Sequence, residues 1–435
     1  MNLVMGIDVG TTSISTVLLD QESGQVVYVN NLANDSRISG LSPWVQDPER
    51  IWNLVLPEYQ ALREARRIDA VGITCQMHGI LYVDKLGRAV SPLYTWQDEQ
   101  GEELCGSSGT FRQQLNAVTG YSQVRGIATG SITHFCLTAK HALPAGAVRF
   151  CTIGDFLAMR LTKGTEPTVH ISNGASFGLM DLERGCYDFN CIQRAGMDAS
   201  FFPEIRRGYA SAGRTPDGVP VSVALGDNQA SFLGAVRDWN HEVLFNLGTG
   251  GQISQYSQSV VTSPGMESRP FLDRDFITVF TSHCGGRAYA ALERFFRQVL
   301  EMAGRPADSL YGVMERALAG QSVREEALSV EPAFCGTRAE PGKRCSITNI
   351  TLENFTPGDL IQGFLEGICR ELMPAYELFR GKGDVQRLVG SGNTIRKNQT
   401  FQGMIERLFG IPLRLAEVTE EAAVGAALFA SRMES

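Results

Sequence analysis

Three stretches of this 435-residue chain combine acidic, amide, hydroxyl and glycine residues in ways suited to chemistry on a phosphate and a hydroxyl. The first is Asp8-Val-Gly-Thr-Thr-Ser13, which follows the apolar run Leu3 to Ile7. A tight Gly-Thr turn between strands aims neighbouring backbone amides at one anion and its hydroxyls add donors, so Gly10, Thr11, Thr12 and Ser13 form a candidate phosphate cradle. Asp8, just before that turn, stands where a carboxylate can hold Mg²⁺ directly or through water as the ion bridges phosphates. The same design returns in Val243 to Ile253, where Gly248, Thr249, Gly250 and Gly251 make a second cradle. Either turn alone is equally an ordinary hairpin, and Asp8 alone reads as a turn former; two turns in parallel contexts favour a nucleotide clamp. The third stretch, Val223-Ala-Leu-Gly-Asp-Asn-Gln229, places adjacent carboxylate and amide groups after a glycine that permits close backbone approach. Phosphoryl transfer to a hydroxyl needs one carboxylate to accept the proton and amides to orient neighbouring hydroxyls, which makes Asp227 the candidate base. Its purely structural role would be to cap a helix over Ala230 to Val236.

Two further clusters suit a polyhydroxylated ligand. Gln76-Met-His-Gly79 and Thr95-Trp-Gln-Asp98 mix apolar faces, which pack on C–H groups, with amide, imidazole and carboxylate groups that divide the hydroxyls between donors and acceptors. His78 taken alone reads as a structural histidine, and Trp96 alone as core packing. Near the C-terminus, Leu388 to Asn393 runs as a strand into a glycine turn ahead of a helix from Asn398, a place where adenine or ribose can lie against backbone. The small residues Ala422 to Ala427 read as a closely packed helix.

The elements that must hold these groups follow from periodicity. Leu3 to Ile7, Ile14 to Leu19 and Val26 to Val29 read as a glycine-turned meander, and strand-like runs at Ala70 to Thr74 and Ile80 to Val83 alternate with helix-like ones such as Glu49 to Arg66. That alternation predicts an α/β fold. The recurrence of the opening design at Val243 points to an internal duplication, with a split near residue 233 and domains over 1–233 and 234–435. Helices are expected at Ala288 to Gly304, Leu360 to Arg380, Asn398 to Phe409 and Glu420 to Arg432, and Arg338 to Thr351 reads as a loop.

Composition narrows the partners. A content of 43% hydrophobic and 20% charged residues is ordinary for a soluble enzyme, and no apolar run approaches the ~20 residues that span a bilayer. A net charge of −8 argues against a polyanion-binding face, so neither nucleic acid nor membrane is an expected partner. Ten cysteines without Cys-x-x-Cys pairs suit reduced thiols, and the opening residues lack the features of an export signal, so a cytoplasmic protein, monomer or homodimer, is expected.

Gly6 to Ser13, Gln76 to Gly79, Thr95 to Asp98, Ser172-Asn-Gly-Ala-Ser-Phe-Gly178, Ala224 to Ser231, Gly390 to Asn393 with Asn398, and Ala422 to Ala427 occur in an order that resembles the FGGY family of carbohydrate kinases. The resemblance runs almost end to end, and the sedoheptulokinase branch is the most similar. It implies two actin-like, ribonuclease-H-like domains with ATP and a sugar in the cleft between them. It also implies roles: Asp8 helps hold Mg²⁺, Gly10 to Thr12 and Thr249 to Gly250 approach the phosphates, and Asp227 deprotonates the sugar hydroxyl. Met77, His78, Gln97, Asp98, Asn228 and Gln229 would contact sugar, and Gly392, Asn393 and Asn398 would lie by the adenosine. The expected substrates are then ATP and a ketose, sedoheptulose before D-xylulose or D-ribulose.

The chain departs from the family pattern at several points. Ser15 and Gln100 stand where a lysine and an arginine are usual, Gly336-Thr-Arg338 replaces a Gly-Glu-Arg run, and Cys284 replaces an asparagine before Gly285-Gly286. Fewer cations near a transferring phosphate weaken charge stabilisation. They favour, as the alternative, a sugar- or nucleotide-binding sensor; the retention of Asp8 and Asp227 favours the enzyme.

Overall fold

A computed structural model of the chain describes residues 2–40, 44–106, 109–248, 250–320, 327–337, 340 and 342–433. It divides into two compact units, the first made of Met1–Gly234, Arg269–Phe276 and Glu420–Ser435 and the second of Ala235–Ser268 and Ile277–Thr419. The first crossing falls next to the expected split, but the division is not a single cut at 233, because two later segments return to the first unit.

In the first unit, β1 (Leu3–Val9), β2 (Ser13–Asp20) and β3 (Val26–Ala33) form the expected antiparallel meander. The chain then crosses through helix Pro48–Ala65 to strand Ile68–Cys75, which lies parallel to β1. That helix begins where Asp47 accepts the Glu49 amide at 2.9 Å and Pro48 fits the first turn. Its buried residues Ile51, Trp52, Val55, Tyr59 and Leu62 recur every three or four positions and join Met5, Ile7 and Val9 in one core. Strands Pro220–Ser222 and Leu225–Gly226 both run parallel to Ile68–Cys75, and Ser211–Arg214 closes that edge.

The opposite face of this sheet is covered by helix Glu421–Ala430. Backbone meets backbone there: a Cβ at Gly6 would lie 1.9 Å from the Ala423 carbonyl oxygen, one at Gly72 1.9 Å from that of Ala426, and one at Gly425 1.8 Å from that of Ala230. Glycine and alanine at these positions let the terminal helix return to the first unit, and the run Ala422 to Ala427 is the closely packed helix expected.

The second unit repeats the plan. Strands Glu242–Leu247 and Gly251–Ser257 form a hairpin, and Arg387–Ser391 lies parallel to the first of them, as Ile68–Cys75 does to β1. Its sheet has six strands, with Met266–Pro270 and Leu413–Leu415 at its edges. Helices Gly285–Met302, Pro357–Lys382 and Gln399–Phe409 supply its core with Leu292, Phe364, Leu372, Phe401 and Ile405. The stretch expected to be a loop over Arg338 to Thr351 contains strand Ser346–Thr348, paired with Ser329–Glu331; Ile347 docks on the core and fixes it, while Arg338 itself lies outside the described residues. Among the described residues no helix is long and apolar enough to cross a membrane.

Candidate active site

The first unit brings its two expected acidic residues to the same edge of the sheet. Asp8 is the sixth residue of β1 and faces Thr74; on the other side of the same strand Thr74 faces Leu225, and Gly226 faces Cys75. Asp227 follows at once as the first residue of helix Asp227–Ala235. Carboxyl ends of parallel strands are where open α/β sheets gather ligands. Gly6 and Asp8 share the face covered by the terminal helix, so the residue ahead of that helix, Glu420, reaches the same region and accepts from Asn31 Nδ2 at 3.1 Å.

Burial and the neighbouring carboxylates of Asp227 and Glu420 push the Asp8 pKa up to about 8, and its Oδ1 is buried with no hydrogen-bond partner among the described residues. A buried carboxylate crowded by like charges and left with an open acceptor fits a hard cation. Among the described residues no three ligating side chains close on one point.

Asp227 is held in place from several directions. Its Oδ1 accepts the Asn228 amide at 2.8 Å and Asn228 Nδ2 at 3.2 Å. The backbone before it is pinned: Ser172 Oγ accepts the Gly226 amide at 3.0 Å, Thr74 Oγ1 donates to the Leu225 carbonyl at 2.9 Å, and Asn173 Nδ2 donates to the Ala224 carbonyl at 3.0 Å. His170 Nδ1 lies 2.8 Å from Ser172 Oγ, and burial lowers its pKa to about 3, so it orients Ser172 as a neutral ring. Burial raises the pKa of Asp227, opposed by the Asn228 hydrogen bonds and the charge of Arg269. Arg269 is itself buried, which lowers its pKa to about 10 against the pull of Asp227. Its segment docks on the helix that Asp227 begins: Gln229 Nε2 donates to the Pro270 carbonyl at 2.8 Å, and Phe271 meets Phe232 edge-on at 5.6 Å.

The turn after Asp8 is tied back by protein donors at each of its carbonyls. Gly10 accepts from Asn34 Nδ2 at 2.8 Å, Thr11 from Gln46 Nε2 at 2.8 Å, Thr12 from the Asn34 amide at 3.0 Å, and Ser13 from the Gly10 amide at 2.9 Å. Thr12 and Ser13 are exposed. The Thr11 hydroxyl is engaged elsewhere, accepting from Trp96 Nε1 at 3.1 Å and donating to Gln76 Oε1 at 3.0 Å. Gln76 Nε2 donates in turn to Gln46 Oε1 at 2.8 Å, which closes a ring of Thr11, Gln76 and Gln46.

The expected sugar-contacting residues divide. Met77 packs against Gly226, whose added Cβ would lie 2.7 Å from the Met77 sulfur, and so stands next to Asp227. His78 is buried at φ +70°, its amide donating to Ser176 Oγ at 3.1 Å and its Nδ1 3.2 Å from the Ser176 carbonyl oxygen; a non-glycine residue in that region is strained and gathers at functional sites. Asn228 Oδ1 and Gln229 Oε1 are buried without a hydrogen-bond partner among the described residues. Gln97 is half-buried, and its carbonyl lies 3.5 Å from Arg125 Nη1. Asp98 is buried and engaged, accepting Thr133 Oγ1 at 2.8 Å and Gln100 Nε2 at 3.2 Å on both oxygens, and burial raises its pKa. Gln100 thus supplies Asp98 with neutral donors, while Ser15 is buried in register with Asp8.

In the second unit, three segments meet through glycine. A Cβ at Gly286 would lie 2.1 Å from the Gly248 carbonyl oxygen, one at Gly285 2.2 Å from the Gly250 carbonyl carbon, and one at Gly392 2.4 Å from the Leu247 carbonyl oxygen. The Gly286 amide donates to the Gly248 carbonyl at 3.1 Å, and Gly392 has φ +90°. Side-chain-free backbone around a Gly-Thr turn fits close approach by phosphates and a nucleoside. Thr249 lies outside the described residues. Asn393, exposed, begins helix Asn393–Arg396 beside this cluster, whereas Asn398 is buried and caps helix Gln399–Phe409, its Oδ1 accepting the Phe401 amide at 2.8 Å.

Comparison with known proteins agrees with this geometry. Residues 3–234 match the N-terminal domain of the FGGY family of carbohydrate kinases and residues 274–434 match its C-terminal domain. The chain is 27% identical to sedoheptulokinase of Mus musculus over 98% of its own length and 96% of that protein. The solved structure of xylulose kinase from Rhodospirillum rubrum superimposes with a TM-score of 0.83 at 20% identity, covering 98% of this chain and 89% of that one. Plasmodium falciparum glycerol kinase with ADP superimposes with a TM-score of 0.81 at 20% identity, covering 99% and 89%. With both family domains matched in order along the chain, the protein belongs to the FGGY family of carbohydrate kinases and is an ATP-dependent sugar kinase.

Proposed function

We propose that the enzyme transfers the γ-phosphoryl group of ATP to a hydroxyl of a ketose, with sedoheptulose the first candidate and D-xylulose or D-ribulose the alternatives. One observation carries the assignment of the base: Asp227 stands beside Asp8 at one strand edge, with the Arg269 charge favouring its ionised form. Asp227 accepts the proton of the attacking hydroxyl, while Asn228 and Gln229, whose amide oxygens have no hydrogen-bond partner among the described residues, take hydroxyl donors of the sugar. Met77, packed against Gly226, and the following His78 would contact the sugar. Asp8 would hold Mg²⁺, which when bound neutralises charge on the phosphates. The turn from Gly10 to Ser13 has its carbonyls committed to protein donors, so no unpaired backbone acceptor of that turn opposes an anion, and in the second unit Gly248, Gly250 and Gly392 leave backbone open to a phosphate or nucleoside.

The similarity to sedoheptulokinase over nearly the full length of both chains supports a seven-carbon ketose. The ten free thiols fit a reducing, cytoplasmic setting. The sensor alternative is favoured by Ser15 and Gln100 in place of cations; Arg269 weighs against it, because a positive charge stands next to Asp227 after all. The test is ADP release by purified protein with Mg²⁺ and ATP against sedoheptulose, xylulose, ribulose and fructose. A marked preference for sedoheptulose supports the proposal, a preference for a pentulose replaces its substrate, and binding without turnover of any of them supports the sensor.

A further inference from the structure

We propose that Cys284 and Cys335 form an oxidisable dithiol whose closure to a disulfide disturbs the glycine-lined turn of the second unit. Their sulfurs lie 3.9 Å apart, with Cys284 buried and Cys335 exposed. Cys284 immediately precedes helix Gly285–Met302, and the two residues after it are the ones packed on the turn: Gly285 against the Gly250–Gly251 peptide and Gly286 through its hydrogen bond to the Gly248 carbonyl. These contacts are backbone on backbone, with no flexible side chain to absorb a displacement. The Cys284 and Gly285 amides also share Ser282 Oγ, each at 3.3 Å, and Ser282 donates to Glu371 at 2.7 Å, so a shift of Cys284 pulls on an anchored loop.

The co-reactant is a small disulfide. The thiolate of Cys335, the accessible partner, attacks one sulfur of that disulfide and expels one thiolate. Cys284 then loses its proton to solvent and its sulfur attacks Cys335 Sγ, forming the cystine and expelling the second thiolate. Two protein thiols are oxidised and one small disulfide is reduced to two thiols. Burial and the neighbouring Cys335 push the Cys284 pKa up to about 11, so Cys284 does not make the first attack.

The full chain is incubated with glutathione disulfide and followed by intact mass, peptide mapping and hydrogen exchange. The expected result is loss of two hydrogens, a linked peptide containing Cys284 and Cys335, and exchange at Gly286 accelerated about tenfold or more as its hydrogen bond opens, all reversed by dithiothreitol. Cys335→Ser and Cys284→Ala, each compared with its own reduced form, show neither the link nor the acceleration. A glutathione adduct that persists on Cys335 without the link, or a link that leaves Gly286 exchange unchanged, overturns the proposal. Weaker ATP binding by the oxidised form is also expected; that consequence alone rests on the function proposed above, and it is read separately from the mass and the exchange.

Discussion

Asp8 and Asp227 reach one another through a shared strand: Thr74 is paired with Asp8 on one side and with Leu225, two residues before Asp227, on the other. Parallel pairing aligns the carboxyl ends of all three strands, so residues separated by most of the first unit's sequence arrive together. The neighbouring charges then decide how each acid behaves.

Arg269 opposes the burial that raises the Asp227 pKa. Removing its charge raises that pKa further, so the ionised base appears only at higher pH. Arg269→Gln is expected to move the acidic limb of the kcat/KM profile upward, and Arg269→Lys to restore most of the shift. An unmoved limb in Arg269→Gln removes Arg269 from the account.

Gln46 holds the Thr11 carbonyl and pairs with Gln76. Gln46→Ala takes partners from the half-buried Thr11 carbonyl and the buried Gln76 Nε2, at about 1–3 kcal/mol for an orphaned buried group. A loss of roughly tenfold or more in kcat/KM is expected together with a lower melting temperature, since the ring both orients the turn and keeps these groups paired. Unchanged kinetics with a large drop in melting temperature would assign Gln46 to stability alone.

The terminal helix lies directly on Gly6. Gly6→Ala forces β1 and helix Glu421–Ala430 apart, at about 1–3 kcal/mol or more, and is expected to lower the melting temperature by several degrees. An unchanged melting temperature contradicts the close packing.

Asp155 has its pKa raised by burial from 3.8 to about 7, with Oδ1 unpartnered among the described residues. The folded state therefore holds a proton that the unfolded state releases. Its contribution is complete below 3.8, falls as pH rises by up to about 1.4 kcal/mol per pH unit, and is gone above about 7. Asp155→Asn carries no such proton, so relative to wild type it is expected to be more stable at pH 8 than at pH 5 by thermal unfolding. The same difference at both pH values would contradict the buried, protonated carboxyl.

Much of the fold was legible because its signals are local. The Gly-Thr turns mark both hairpins, and the three-and-four spacing of Ile51, Val55, Tyr59 and Leu62 marks a helix. The asparagine before Gln399 is a cap signal, which the structure uses. Gln46, Arg269 and Glu420 were not legible as site residues because long-range pairing delivers them: Gln46 by its short strand against Leu93–Tyr94, Arg269 by the return of its segment to the first unit, and Glu420 by a contact with Asn31 that spans 389 residues. Nothing in the neighbouring sequence of these residues encodes such partners. The motif Ser172 to Gly178 was visible without a role; its support of Gly226 and His78 appears only once the chain is folded.

The central claim is that Asp227 is the base, and Asp227→Asn tests it most directly. The substitution keeps the shape of the side chain and removes its ability to take a proton. Steady-state ADP release with the preferred ketose is expected to fall by roughly 10²–10⁴-fold in kcat, with ATP and sugar still bound in equilibrium titrations. Near-normal turnover by a variant that binds both substrates would contradict it.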